Sequence, residues 1–232
     1  MSEPLLDTCP SGFAQTTASL HSLAEKVISP ARAAATGHEF SLVATKGGFG
    51  TPALPDGSVI RVEATTLVVE RPGADPQIQE ITSLKAAGEF VGLEAGDLDD
   101  APLIVDVESA LVLASAYEIG DSVLRELAAE AAADASPSAI RLWPEHFDIA
   151  FEQGDEAAGK RAGYGLSPGD EEHDEPYFYV GPWVEPTDLS GWSAVGFTGA
   201  ELRWDDLAGS SEPRALALAF LRERRDALAA AV

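Results

Sequence analysis

Apolar and polar positions alternate along this chain in two distinct periods, and the periods change in the same order twice. Leu20, Leu23, Ala24, Val27 and Ile28 recur at helical spacing, which makes one buried stripe. The first helix is expected over about Gln15 to Ala35, with Pro30 a kink and Gly37 a left-handed stop. Period two follows. Phe40, Leu42 and Ala44 alternate, then Val59 to Glu63, then the short run Leu67-Val68-Val69. Pro55-Asp56-Gly57 and Arg71-Pro72-Gly73 punctuate them. Three or four antiparallel strands fit, and Thr82-Ser83-Leu84 opens a short helix.

A long helical pattern then runs from about Val107 to Asp134, with Gly120-Asp121 a possible division because Asp is a good N-cap. A second β-rich stretch spans Ile140 to Trp204. There Phe147, Ile149 and Phe151 alternate with Asp148, Ala150 and Glu152 as a half-buried strand. Tyr177 to Gly181 is another, and Val195 and Phe197 hint at a third. Ser211-Glu212-Pro213 starts a last helix whose buried side is read as Leu216, Phe220, Leu221, Ala227 and Leu228. The fold class is therefore α+β, in two similar helix–antiparallel-sheet–helix halves that suggest a pseudo-duplication. The Gly- and Asp-rich stretch Glu94 to Pro102 is the linker candidate, dividing residues 1–95 from 96–232.

Composition changes the picture mainly through charge. The 232 residues carry 15 Lys and Arg against 39 Asp and Glu, a formal charge of −24. Such a surface repels phosphate backbones and anionic lipid, so neither nucleic acid nor membrane is an expected partner. Arg222, Arg224 and Arg225 are the one basic concentration, read as complementing the dipole of the last helix. A 45% hydrophobic content suffices for one large core or two small ones. Cys9 is the single cysteine and cannot close an internal disulfide. Residues 1–10 lack a secretory pattern and no long apolar run occurs, so the cytoplasm is the expected location.

Candidate chemistry is concentrated in Arg141-Leu142-Trp143-Pro144-Glu145-His146-Phe147-Asp148. If Phe147 shares the core face with Ile149 and Phe151, His146 and Asp148 share the other, about 7 Å apart. His146 would then act as the acid/base, oriented by Asp148 or Glu145, or stand as a surface histidine beside a solvated acid. Arg141, Trp143, Tyr177, Tyr179 and Trp183 would line the ligand pocket, or fill core and sheet. Asp170 to Glu175 reads as a solvated acidic loop. A metal site there requires His173 to fold back toward His146, and no metal is assigned. His21 reads as capped or exposed, and His38 as a loop residue.

Lys46-Gly47-Gly48-Phe49-Gly50-Thr51 fails as a phosphate loop, because its lysine precedes the glycines and a strand follows. It reads as a strand-to-strand loop needing positive φ or close backbone approach, or as a loop presenting amides to a ligand. No hydrolase elbow and no His-Glu-x-x-His occurs.

Ser19 to Ala35, Phe40 to Pro52 and Arg141 to Phe151 resemble uncharacterised proteins of high-GC actinobacteria. The Gly50–Pro52, Phe147–Ala150 and Pro176–Tyr179 pieces are similar in order to a bacterial family of unknown function. The resemblance implies no activity or catalytic residue. The expected function is a cytosolic small-ligand-binding protein or an enzyme, with cofactor and oligomeric state unknown. The alternative is a non-enzymatic acidic module that docks a basic partner.

Overall fold

The computed structural model describes residues 5–37, 39–94, 96–132 and 134–230, so His38 lies outside the described residues. The chain is α+β, with two five-stranded antiparallel sheets ordered β1-β2-β3-β4-β5 and β10-β9-β8-β7-β6. The first comprises β1 (Val43–Thr45), β2 (Gly48–Gly50), β3 (Val59–Glu63), β4 (Thr66–Glu70) and β5 (Gln77–Glu80). The second comprises β6 (Arg141–Trp143), β7 (Asp148–Gln153), β8 (Ala162–Ser167), β9 (Tyr177–Pro182) and β10 (Ala200–Arg203). The helices are α1 (Phe13–Leu23), α2 (Ser29–Thr36), α3 (Leu84–Val91), α4 (Val107–Ala129), α5 (Trp204–Ala208) and α6 (Pro213–Ala230). Among the described residues no helix is long and apolar enough to cross a membrane.

Two compact units emerge. One contains Cys9–Glu118 and Leu142–Phe147; the other contains residues 5–8, Ile119–Arg141 and 148–230. The stretch expected as a linker, Glu94 to Pro102, lies inside the first unit. Its Asp100 accepts from the Ser83 hydroxyl at 2.9 Å, and Asp99 O accepts from Lys85 N at 3.0 Å. Ser83 also caps α3, its Oγ accepting from Ala86 N at 3.1 Å.

In the first unit Leu20, Leu23, Ala24, Val27 and Ile28 are all at most 1% exposed, as their spacing requires. The helix does not simply kink at Pro30. It widens into a π turn over Ala24–Ile28, then continues as α2. Proline donates no N–H and its ring meets the carbonyl four residues back, and the wider turn relieves both. Gly37 closes α2 at φ 89°, donating to Ala33 O at 2.8 Å.

The glycine-rich segment is strand β2, and its glycines permit close approach. A Cβ on Gly48 would sit 2.6 Å from Val62 O, and one on Gly50 would collide with Ile60 O. Phe49 between them is fully buried and meets Phe147 edge-on at 4.9 Å and Tyr117 at 6.2 Å. His21 stacks on Phe147 at 5.2 Å and faces Pro144 O at 2.9 Å through Nε2. Half-buried packing, rather than exposure, is its role.

In the second unit α4 passes through Gly120 without a break. A Cβ there would lie 3.1 Å from Ile149 Cγ2 and 3.3 Å from Leu166 Cβ. That glycine serves helix-to-sheet approach, not helix termination. The buried side of α6 is Ala217, Leu218, Leu221 and Leu228, with Leu216 37% exposed. Leu221 and Leu228 are buried as expected, whereas Leu216, Phe220 and Ala227 are not, and Ala217 and Leu218 take the core side instead. The α6 arginines precede the last turn, so they do not answer the helix dipole. Arg222 and Arg225 instead pair with Glu130, and Arg214 with Glu126.

Candidate functional site

The first four residues of β7 are buried on both faces. Asp148 and Ala150 are each 8% exposed, and Ile149 and Phe151 1%. Phe147 is not part of the strand: it sits at φ 56° and closes a turn over residues 144–147. The expected alternation from Phe147 onward therefore fails at its first residue. His146 and Glu145 are exposed in that turn. They do not share a strand face with Asp148, which begins β7. Arg141 is half-buried at the start of β6, and Trp143 is half-buried and tilted against Phe40 at 6.0 Å.

The second sheet does bring three of the singled-out residues to one face. Register pairs Gly165 with both Ala150 and Tyr179, and Ser167 with Tyr177. Asp148, Gly165, Ser167, Tyr177 and Tyr179 thus project together. Tyr179 donates its hydroxyl to an Asp148 carboxylate oxygen. Tyr177 donates to Asp170 Oδ2 at 2.5 Å. Burial raises both phenols above the ordinary tyrosine value, and the carboxylate each one meets adds to it.

His173 belongs to the same face. It is 7% exposed, with Nδ1 2.7 Å from Asp170 and Nε2 3.1 Å from Glu201. Both ring nitrogens thus face carboxylates, which only accept. Burial alone would raise the Asp170 carboxyl; the hydrogen bonds from Tyr177 and His173 overcome it and hold the group below the ordinary carboxylate value. The acidic run is therefore anchored by its histidine rather than uniformly solvated. Among the described residues no cluster of His, Cys, Asp and Glu is arranged to hold a metal ion. Trp183 is 50% exposed and lies under the Arg161 guanidinium at 5.2 Å.

The opposite side of the same unit holds a cavity of about 350 Å³. The end of β7 contributes Gln153, β8 contributes Tyr164, and α6 contributes Arg225, Asp226 and Ala229. Glu130 to Ala132, Asp134, Ala135, Gly154, Asp155 and Lys160 complete it. None of the catalytic or ligand-binding candidates of the sequence lines it, and Arg225, noted there only for its charge, does. Gln153 is 1% exposed, and both its amide oxygen and its amide nitrogen are buried without a hydrogen-bond partner. It occupies the β7 face of Ile149 and Phe151, which the period-two pattern reserves for apolar residues. Tyr164, 1% exposed, sits opposite Phe151 with ring centroids 5.7 Å apart. Burial raises its phenol, first of all causes, so it remains a neutral donor.

The ionic groups around the cavity are mutually tied. Arg225 reaches Glu130 at 3.0 Å and Asp226 at 2.8 Å. Lys160 donates to Ala229 O at 2.6 Å. Glu130 is held down to about 2 by the hydrogen bond from Arg222, with Arg225 adding to it.

Comparison with family models, curated proteins and solved structures gives no match to this chain. The class defined by the observations is thus the fold itself: an α+β protein with two antiparallel meanders and a cavity in one of its two units.

Proposed function

We propose that the protein binds a small organic molecule, and that the cavity beside Gln153 and Tyr164 is where it binds. The observation that supports this most is the Gln153 carboxamide. A buried amide with neither atom satisfied costs about 1–3 kcal/mol per unmet group. An apolar side chain at the end of that strand would avoid the cost, and a ligand that supplies the missing bonds would repay it. A volume near 350 Å³ falls within the range of small-molecule sites, roughly 300–1,000 Å³.

The test is a thermal-shift screen of neutral and cationic metabolites against the wild type and Gln153→Leu, a near-isosteric change. A ligand that prefers the folded state raises the melting point in proportion to the logarithm of its concentration. At least one compound is expected to stabilise the wild type and leave the variant unmoved. Compounds that stabilise both proteins equally would remove this cavity from the function.

A further inference from the structure

Resting on that reading, we infer that the ligand presents a planar donor–acceptor edge of the kind found on a nucleobase or cyclic amide, and that it carries no net negative charge. A carboxamide offers a carbonyl acceptor and an NH₂ donor side by side. A carboxylate ligand could answer only the NH₂ of Gln153 and would leave its oxygen unmet. An ammonium would answer only the oxygen. A lactam or an amino-azine answers both at once, which is the geometry by which glutamine side chains pair with adenine edges. Both Gln153 polar atoms are buried without a hydrogen-bond partner, so both halves of that pairing are unmet.

The charge at the cavity selects against anions. Four carboxylates, on Glu130, Asp134, Asp155 and Asp226, surround it against two cations, Lys160 and Arg225. Both cations are already engaged, Lys160 by Ala229 O and Arg225 by Glu130 and Asp226. Among the described residues no free cation is left there for a phosphate, and the whole chain carries −24. Tyr164 adds a second neutral donor within the same cavity.

The experiment is isothermal titration of the full chain with adenine, uracil, 1,3-dimethyluracil, uridine 5′-monophosphate and 2-pyrrolidone, repeated on Gln153→Leu and Tyr164→Phe. At least one of adenine, uracil and pyrrolidone is expected to bind. For the compound that binds, Gln153→Leu should weaken affinity at least tenfold and Tyr164→Phe less. Dimethyluracil, whose ring donors are blocked, and the dianionic monophosphate should each bind at least tenfold more weakly than uracil. If pyrrolidone equals the nucleobases, the source is any cyclic amide; if only the nucleobases bind, ring stacking contributes. The inference is overturned if the blocked or phosphorylated compound binds as well as uracil, or if none of the edge-bearing probes binds. A screening hit that lacks this edge but protects Gln153 to Tyr164 amides from hydrogen exchange would overturn the ligand class and leave the cavity's role standing. Absence of any hit in that screen would overturn both.

Discussion

Tyr179 on β9 reaches across the middle strand of the second sheet, over Gly165, to donate a hydrogen bond from its hydroxyl to Asp148 on β7. The ring fills the space a side chain at position 165 would need: a Cβ there would lie 2.5 Å from both Cζ and Oη of Tyr179. Gly165→Ala must therefore expel the ring. Overpacking of this kind costs about 1–3 kcal/mol. The expected result is a lower urea midpoint for Gly165→Ala, and a much smaller effect of the same change in a Tyr179→Ala background. A double-mutant cycle reads that coupling directly. Equal costs in both backgrounds would mean that the ring and the glycine are independent.

The ring cluster of the first unit makes a second, separate prediction. Tyr117 is fully buried and donates to Phe147 O at 2.6 Å. Phe147 is held there at φ 56°, a conformation that a bulky residue adopts only where its surroundings enforce it. Tyr117→Phe keeps the packing against Phe49 and Phe147 but strands a buried carbonyl. The expected loss is about 1–3 kcal/mol by chemical denaturation. A neutral outcome would show that the carbonyl finds another donor.

Acid stability should report on Glu130. Its folded carboxyl is depressed from 4.5 to about 2 by Arg222 first and Arg225 next. A depressed acid contributes stability that is fully present above its unfolded value and is lost as pH falls through its folded value. The wild-type midpoint should thus fall between pH 4.5 and about 2, and the difference from Glu130→Gln should shrink over that window. The side chains are partly exposed, at 31% for Glu130 and 40% for Arg222, so added salt should reduce the difference. A pH-independent difference between the two proteins would refute the linkage.

Period and punctuation made the element types legible in the sequence: the α1–α2 stripe, Gly37, the Ser83 cap and the α+β class all follow from them. Glycine was the main source of misreading. Gly120-Asp121 reads as a possible division because Asp is a good N-cap, yet the use of Gly120 is to admit Ile149 and Leu166. Gly163 and Gly165 flank Tyr164 in β8, a strand without β-branched residues, and local propensity gave no sign of it. Residue types alone drew attention to His146, which a positive-φ phenylalanine turns into an exposed corner. Gln153, a polar residue two positions beyond Phe151 on an otherwise apolar face, is the departure from the pattern on which the proposed site rests.

Gly120→Ala separates these two readings of glycine. In an exposed helix the change would gain about 0.8–1.0 kcal/mol of propensity. Here the new methyl meets Leu166 Cβ at 3.3 Å, an atom fixed to the backbone of β8. The neighbour can yield only by moving the strand. A net loss of stability is expected in thermal or urea melts, and a gain would mean that the helix and sheet have room to separate.

Gln153 predicts the opposite sign from most buried substitutions. Leucine matches its volume and asks for no hydrogen bonds, so Gln153→Leu should stabilise the unliganded protein by about 1–3 kcal/mol, the cost of leaving buried polar groups unmet. Natural proteins keep such costs mainly where a site needs them. The melting point of the ligand-free variant should therefore exceed that of the wild type, while saturating ligand should narrow or reverse the gap by stabilising the wild type alone. Should Gln153→Leu melt below the wild type with no ligand present, the amide has a structural partner in solution, and the energetic case for an unfilled recognition group at the end of β7 is lost.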